Sequence, residues 1–404
     1  MATLHPNIAK GITNGLEHIL HKKKSARRVV ASMLKSNRRW GSKDRKLVGK
    51  AIYDILRWKR HYEISSESKE QSLWDLLASW AVLNNYELPD WEVFTRFESQ
   101  TTLEKQHHLS SDDAVRHSIP DWLNELGSAH FPPALWEKEM QSLNRESPLA
   151  IRVNRLKIDV EDLQAKLNTH FNIISKRVQG VSEALVLEQH QPLQSISLYR
   201  EGFFEIQDVN SQRVAHWVNP KPGMTVLDVC AGAGGKTLHL ASKMNGKGVI
   251  IAHDIEPLKL KQLHKRMLRS GATNISIISS EEKPISTTYH QKADCVLIDA
   301  PCSGLGTLGR NPDLKWRMNP KTIHSIEKTQ QNLLQKYSQT VRPGGILVYA
   351  TCTFLPNENQ IQIAAFLNSK EGADFSLEKA ETFFKHQSGF DSFFIAKLKR
   401  GDSD

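Results

Sequence analysis

The chain has 404 residues and a formal net charge of +10, so it is long enough for two or three domains and basic enough to favour a polyanionic partner, most simply a nucleic acid. No run of about 18 apolar residues occurs and the stretch Met1–Lys24 lacks the apolar core of a secretory signal, which excludes a membrane-spanning helix and favours a cytoplasmic protein. The four cysteines form no CxxC pair, so neither a metal site nor a disulfide framework is expected.

The amino-terminal third is predicted to be a helical domain over residues 1–135. Apolar residues recur at helical spacing, as at Val48, Ile52 and Ile55, and proline is scarce before Pro132. Twelve lysines and arginines fall between Lys22 and Lys50. A basic helical face of this kind binds phosphates without regard to sequence, and the alternative is an ordinary solvated face.

A small α/β module is predicted over residues 136–200. Short β-prone runs, such as Leu149–Val153 and Ala184–Leu187, surround one helical stretch at Val160–Leu167. The module is basic, with its charges at Arg152, Arg155, Lys157, Lys176 and Arg177. Its positive charge favours a module that binds a nucleic-acid strand beside the catalytic domain. The alternative is a connector between the two larger domains.

Strands and helices alternate over residues 201–404, which predicts an α/β domain with a mostly parallel sheet. The candidate strands are Thr225–Val229, Gly248–His253, Ile275–Ile278, Cys295–Ile298, Ile346–Tyr349 and Phe393–Leu398.

A glycine-rich loop follows the first of these strands. A Walker A loop would need glycine where Cys230 stands, and a dinucleotide fingerprint would need Gly or Ala at Thr237, so neither phosphate-binding motif fits. Asp254 lies 20 residues after Gly234, close to the offset at which an acid bonds a ribose. A nucleoside without pyrophosphate fits both observations, so S-adenosylmethionine is the predicted cofactor. Its predicted contacts in the loop are Cys230, Ala231, Gly232, Ala233, Gly234, Gly235 and Lys236. Asp254 and Asp299, each after a later strand, are the predicted contacts outside the loop.

Two cysteines stand in matching settings, Cys302 in DAPCSG and Cys352 in YATCT. Each follows an apolar β-prone run, so each is expected at the carboxyl end of a strand, where open α/β sheets carry their sites. Two thiols that converge on one crevice favour covalent chemistry, because a thiolate is a strong nucleophile. Cys295, inside a strand, is interpreted as a small core residue.

Several runs of sequence together resemble one family. They are IDAPCSGLGTLGRNPDLKW, RPGGILVYATCTF, VCAGAGGKT, GFFEIQDVNSQ and SPLAIRVNRLKI, with the amino-terminal WGSKDRKLVGKAIYDILRW. The chain resembles the Nop/Sun/RsmB family of RNA cytosine-5 methyltransferases, and its amino-terminal part is similar to the NusB-like domain of the bacterial 16S ribosomal RNA members. The resemblance implies a class I Rossmann-like methyltransferase sheet that uses S-adenosylmethionine.

Cytosine C5 is a weak nucleophile, so an enzyme must first add a nucleophile at C6, for which a thiolate is suited. Asp299 is placed to hydrogen-bond the N3 edge of the base as charge develops there, and Lys236 to meet the cofactor carboxylate or the base. The resemblance implies that Cys352 is the nucleophile and that Cys302 assists in product release or proton removal.

Some residues depart from the family pattern. The usual Ala-Pro before the double glycine is Gly232-Ala233, and the aspartate that commonly meets the adenine is replaced by SSEE at 279–282. Ser280 is the expected substitute for that contact, with Glu281 as the alternative.

Because flipping costs least for unpaired bases, looped or single-stranded RNA is the expected target. Ribosomal RNA is what the resemblance implies. Transfer RNA, DNA and a catalytically idle RNA-binding assembly factor are the alternatives. A monomer is expected.

Overall fold

The computed structural model describes residues 2–65, 72–95, 97, 112–189, 191–279 and 284–402. Its chain divides into two compact units. The first comprises residues 1–146 together with 307–322, and the second comprises residues 147–306 and 323–404. In the described ranges, no helix is long and apolar enough to cross a membrane.

The first unit is built from helices whose apolar faces enclose one core. Its elements are β1 (Ala2–Thr3), α1 (Pro6–Leu16), a π-helical turn (Glu17–His21), α2 (Ala26–Ser36), α3 (Ser42–Ser65), α4 (Leu73–Leu83), β2 (Tyr86–Glu87), α5 (Asp113–Arg116), α6 (Asp121–His130), α7 (Pro133–Leu143) and, from the second segment, α14 (Leu314–Arg317). The helix α3 is kinked at Trp58, which has non-helical backbone angles. Ser72 and Asp75 form a capping box that satisfies the first amides of α4.

The segment 307–322 completes the core of the first unit. Lys315, on α14, is fully buried, and its ammonium donates to the carbonyl of Arg57 (2.8 Å) and to Oδ1 of Asn144 (2.9 Å). Burial, and then the charge of Arg57, lower the pKa of Lys315 well below its usual range. Residues distant in sequence therefore depend on this segment for their hydrogen bonds.

The second unit contains a small four-stranded antiparallel sheet in the order β4-β5-β3-β6. Its elements are β3 (Ala150–Val153), α8 (Val160–Phe171), β4 (Ser175–Val178), β5 (Val181–Leu187), α9 (Ser197–Arg200) and β6 (Phe204–Ile206). Leu163 and Leu167 on α8 are fully buried against it, as period-3.6 spacing requires.

The second unit also contains a seven-stranded sheet in the order β12-β13-β11-β10-β7-β8-β9. Its elements are α10 (Val209–Val218), β7 (Thr225–Asp228), α11 (Gly235–Lys243), β8 (Val249–His253), α12 (Pro257–Ser270), β9 (Ile275–Ile278), α13 (Ile285–Thr288), β10 (Ala293–Asp299), α15 (Pro320–Ser338), β11 (Val341–Thr351), α16 (Gln360–Leu367), β12 (Phe375–Phe383), α17 (Lys385–Ser388) and β13 (Phe393–Arg400). All neighbouring strands are parallel except at β13, which is antiparallel to β11 and to β12.

The strand order reverses between β7 and β10, and open parallel sheets bind ligands at that point. The predicted α/β class and mostly parallel sheet are confirmed. The strands β1, β2, β4, β6 and β12 were not anticipated. The domain boundaries at residues 135 and 200 stay a prediction.

Candidate active site

The glycine-rich loop lies between β7 and α11, at the reversal point of the sheet. Gly232 and Gly234 have φ angles of +55° and +86°, a region that disfavours side chains. A Cβ at Gly234 would lie 2.1 Å from Cδ1 of Leu263, which is buried on α12. The glycine therefore permits both the turn and the close approach of α12.

Asp254, just after β8, holds this loop in place. Its Oδ2 accepts from the amide of Gly232 (2.8 Å) and its Oδ1 accepts from the amide of Glu256 (2.8 Å). Each oxygen has a lone pair left for another donor. Asp254 thus supports the loop and still offers acceptors to a ligand.

A cavity of about 360 Å³ opens at this edge of the sheet. Its lining comprises Val229, Cys230, Gly232, Asp254, Ile255, Glu256, Lys259, Asp299, Pro301, Thr329, Leu333 and Tyr337. The apolar side chain of Ile255 is 79% exposed there, which offers a surface for a flat ring. Backbone amides, a carboxylate and an apolar surface in one concave site fit a nucleoside with a charged tail.

The predicted cofactor residues divide into three groups. Cys230, Gly232, Asp254 and Asp299 line the cavity. Ala231, Ala233, Gly234, Gly235 and Lys236 complete the loop and the start of α11 without lining it. Ser280 and Glu281 lie outside the described residues.

The two cysteines meet at the ends of neighbouring strands. In the parallel pair β10·β11, Asp299 lies opposite Ala350, so the residues that follow share one edge of the sheet. The sulfur atoms of Cys302 and Cys352 are 3.3 Å apart, and the amide of Cys352 donates to the sulfur of Cys302 at 3.3 Å. The predicted convergence of the thiols is therefore observed.

The surroundings of Cys302 favour its protonated thiol over the thiolate. Its hydrogen bond with Cys352, then burial, and then the charges of Cys352 and Glu358 raise its pKa well above the usual range. Either sulfur of the pair can be the donor of the hydrogen bond between them.

A partly buried ion pair lies beside the thiols. Nζ of Lys236 donates to Oδ2 of Asp299 at 2.7 Å, and the lysine side chain is only 11% exposed. Burial alone would lower the pKa of Lys236, but Asp299, assisted by the charge of Cys352, outweighs it and leaves the pKa raised. Lys236 also lies 5.1 Å from the centre of the Phe393 ring. Asp299 therefore links the cofactor cavity to the cysteines.

The other two cysteines have different surroundings. Burial raises the pKa of Cys295 to about 12, and burial with nearby carboxylates raises that of Cys230 well above its usual range. Neither sulfur lies in a hydrogen-bonded thiol pair.

The sequence reasoning missed Asp228, the last residue of β7. Its Oδ2 accepts from Thr237 Oγ1 at 2.7 Å, whereas its Oδ1 is buried and has no hydrogen-bond partner among the described residues. Burial raises the pKa of Asp228 to about 7. Its position at the end of the strand directly before the glycine loop is the sequence feature that could have identified it.

Glu183, His216 and His239 are close enough together to share a metal ion. However, the ammonium of Lys243 lies 3.4 Å from Glu183 Oε1 and 3.3 Å from His216 Nδ1, and it already supplies positive charge to the carboxylate. Burial lowers the pKa of His239 to about 3. The group fits an ion-pair cluster between β5, α10 and α11, and we assign no metal to it.

The fold and the cavity define a Rossmann-like methyltransferase whose cofactor is S-adenosylmethionine. Comparison with known proteins supports this class. A family model described as 16S rRNA methyltransferase RsmB/F matches residues 215–399, and a ferredoxin-like domain model of the RsmF/B-like methyltransferases matches residues 119–194. A probable ribosomal RNA small subunit methyltransferase B of Synechocystis is 36% identical over 303 residues, covering 70% of this chain and 67% of the relative. The chain belongs to the RsmB/F group of the Nop/Sun/RsmB family.

Other relatives and solved structures agree. Ribosomal RNA small subunit methyltransferase B of Escherichia coli O6 is 31% identical, covering 72% of this chain and 68% of that protein. The crystal structure of PH0851 is similar with a TM-score of 0.79 and 25% identity, over 99% of this chain and 100% of that one. NSun6 from Pyrococcus horikoshii, solved with SFG, shares the fold with a TM-score of 0.64 at 21% identity, over 71% of this chain and 100% of its own.

Proposed function

We propose that the protein transfers a methyl group from S-adenosylmethionine to C5 of a cytosine in ribosomal RNA, through a covalent bond between Cys352 and C6. The observation that carries this proposal is the pair of sulfur atoms 3.3 Å apart, next to the Lys236–Asp299 ion pair. A structural role explains one buried cysteine but not two partly exposed ones at neighbouring strand ends.

The first step is addition of the Cys352 thiolate to C6. The Cys302 thiol donates a hydrogen bond to the sulfur of Cys352, and the positive charge of Lys236 stabilises the thiolate. The π electron pair of the C5–C6 double bond moves to C5 and is shared with N3 through C4, which makes C5 nucleophilic. When bound, the cofactor would supply an electrophilic methyl group to C5, and the electron pair of the broken sulfur–methyl bond would stay on the cofactor sulfur.

Asp299 and Lys236 act on the base during this step. Asp299 accepts a hydrogen bond from the amino group on the N3 edge of the base, and Lys236, which donates to Asp299 at 2.7 Å, supplies the positive charge that stabilises the charge developing on the ring. Such donors and acceptors are most effective where water is excluded, and the burial of Lys236 provides that setting.

The second step restores the base and the enzyme. Once the sulfur of Cys352 is bonded to C6 it carries no charge, so the contribution of that charge to the raised pKa of Cys302 is removed. Cys302 can then release its proton to solvent and accept the proton from C5. The C5 electron pair re-forms the double bond, the bond between Cys352 and C6 breaks, and Cys352 leaves as a thiolate. Formation of the adduct thereby activates the group that resolves it.

The cavity residues hold the cofactor in this proposal. The backbone at Cys230 and Gly232 meets the amino-acid end, Asp254 accepts from the ribose hydroxyls and Ile255 covers the adenine. The adenine contact of Ser280 stays a prediction.

Ribosomal RNA is favoured over transfer RNA because the relatives are named ribosomal RNA small subunit methyltransferases. The basic stretch of the first unit suits phosphate contacts. Action on ribosomal RNA fits a cytoplasmic protein, and the monomeric state stays a prediction.

The proposal is tested by methyl transfer from radiolabelled S-adenosylmethionine to unmodified ribosomal RNA, transfer RNA and DNA, followed by bisulfite sequencing. We expect 5-methylcytosine in ribosomal RNA, loss of transfer in Cys352→Ser, and a protein–RNA adduct on denaturing gels in Cys302→Ala. Full transfer by Cys352→Ser would contradict the assignment of the nucleophile. Transfer to no substrate would favour an idle assembly factor.

A further inference from the structure

A buried carboxylate, Glu358, lies behind the two cysteines. It belongs to a short 3-10 turn, Pro356–Glu358, that follows β11, and it is fully buried. Its Oε2 accepts from the amide of Ser303 at 2.8 Å and its Oε1 accepts from the Ser303 hydroxyl at 2.5 Å. The residue directly after Cys302 is therefore held twice by one carboxylate.

The residue before Cys302 is held as well. The side-chain amide of Gln330, on α15, donates to the carbonyl of Pro301 at 3.0 Å and to Oε2 of Glu358 at 3.1 Å. Gln330 is fully buried, so water does not compete for these bonds. The backbone on both sides of Cys302 is thus fixed through Glu358 and Gln330.

The same turn also holds the loop of Cys352. The hydroxyls of Ser303 and Thr353 are 3.1 Å apart, and Tyr349 donates to the carbonyl of Glu358 at 2.8 Å. Asn359, the next residue, accepts from Thr351 at 2.6 Å and donates to the carbonyl of Thr353 at 3.0 Å. One turn therefore determines the positions of both cysteine loops.

We infer that Glu358 is a positioning residue that fixes Cys302 against Cys352 for the release step, an inference that rests on the proposed function. Its effect is both geometric and electrostatic. The negative charge of Glu358 contributes, after Cys352 and burial, to the raised pKa of Cys302. That contribution does not depend on Cys352, so Glu358 still raises the pKa of Cys302 after Cys352 is bonded to the base.

Burial raises the pKa of Glu358 itself above its usual range, and the donors from Ser303, Gln330 and Thr353 oppose that rise. The charged and titratable groups around Cys302 are Cys352, Glu358 and Tyr349, and Lys236 lies close enough to Cys352 for their charges to interact.

The decisive variant is Glu358→Gln, since glutamine has the same shape and still accepts from Ser303 but has no charge. We expect kcat to fall on the order of 10-fold, the range in which a misplaced proton-transfer group acts, with KM for RNA within about twofold of the wild type. The adduct should accumulate during turnover. The pH dependence of its release should move to lower pH, because removal of the negative charge lowers the pKa of Cys302.

Glu139→Gln is the matched control, because Glu139 is also a fully buried glutamate but lies in the first unit. It should change the melting temperature without changing the pH profile of release. If Glu358→Gln does not fold, Ser303→Ala removes only the hydroxyl and should give a smaller change of the same sign.

Wild-type kcat, no adduct and an unchanged pH profile in folded Glu358→Gln would overturn the inference. Failure of the proposed function is a separate result, because the wild-type protein would then form no 5-methylcytosine and Cys302→Ala would trap no adduct.

Discussion

The substitution Gly234→Ala separates two requirements of the cofactor loop, backbone conformation and close packing. At a φ of +86° an alanine costs about 1–2 kcal/mol in the left-handed region. Its Cβ would also meet Leu263 Cδ1 at 2.1 Å, and overpacking of a buried site costs a further 1–3 kcal/mol or so. The expected loss of stability is therefore about 2–5 kcal/mol.

A control separates the two contributions. Gly389 has a φ of +75°, and a Cβ there would have no atom within 4 Å, so Gly389→Ala should lose only the conformational part. Urea unfolding of both variants measures the two free energies, and calorimetry measures binding of S-adenosylmethionine, which we expect to weaken in Gly234→Ala alone. If Gly234→Ala were no less stable than Gly389→Ala, the argument from packing against Leu263 would be refuted.

Three further predictions concern single side chains. Asp228→Asn should remove a fall in the free energy of unfolding that the wild type shows between about pH 4 and pH 7. The folded-state pKa of about 7 lies above the ordinary 3.8, so the unfolded state loses its proton first and stability falls as the pH rises through this range. The expected fall is about 4 kcal/mol, at about 1.4 kcal/mol per pKa unit, and unfolding measured as a function of pH tests it. Asp254→Ala should raise the Kd of S-adenosylmethionine by roughly 10- to 100-fold, because the variant loses a hydrogen bond to a charged group. An unchanged Kd in calorimetry would contradict the ribose contact. Lys236→Met should lower kcat about 10²-fold in the methyl-transfer assay, because Asp299 loses its partner and the Cys352 thiolate its nearby charge, and a wild-type rate would exclude both roles.

The sequence was most informative where local pattern and function coincide. The apolar runs before Cys302 and Cys352 predicted two strands of one parallel sheet, and parallel strands bring their carboxyl ends together, so the meeting of the thiols followed from β10 and β11 alone. The glycine loop and Asp254 could also be predicted from local sequence, because the turn requires glycine and the acid follows the next strand.

Features that depend on packing between residues distant in the sequence could not be predicted from the sequence. The strand β12 is an edge strand with mostly exposed residues and several charges, so its pairing with β13 gives little signal in the sequence. Ser303 and Glu358 are 55 residues apart, and only the folded structure makes their contact apparent. The adenine contact proposed for Ser280 lies outside the described residues.

The placement of residues 307–322 in the first unit has a consequence for synthesis of the chain. The backbone carbonyl of Arg57 and the side chain of Asn144 accept hydrogen bonds from Lys315, and Arg57 itself donates to the carbonyl of Gly309 at 3.1 Å. A ribosome must therefore add more than 160 further residues before this core is complete, counting from residue 146 to the helix at Leu314–Arg317. During that time the nascent first unit has exposed polar groups and an unfilled core, and it depends on the rest of the chain for its final stability.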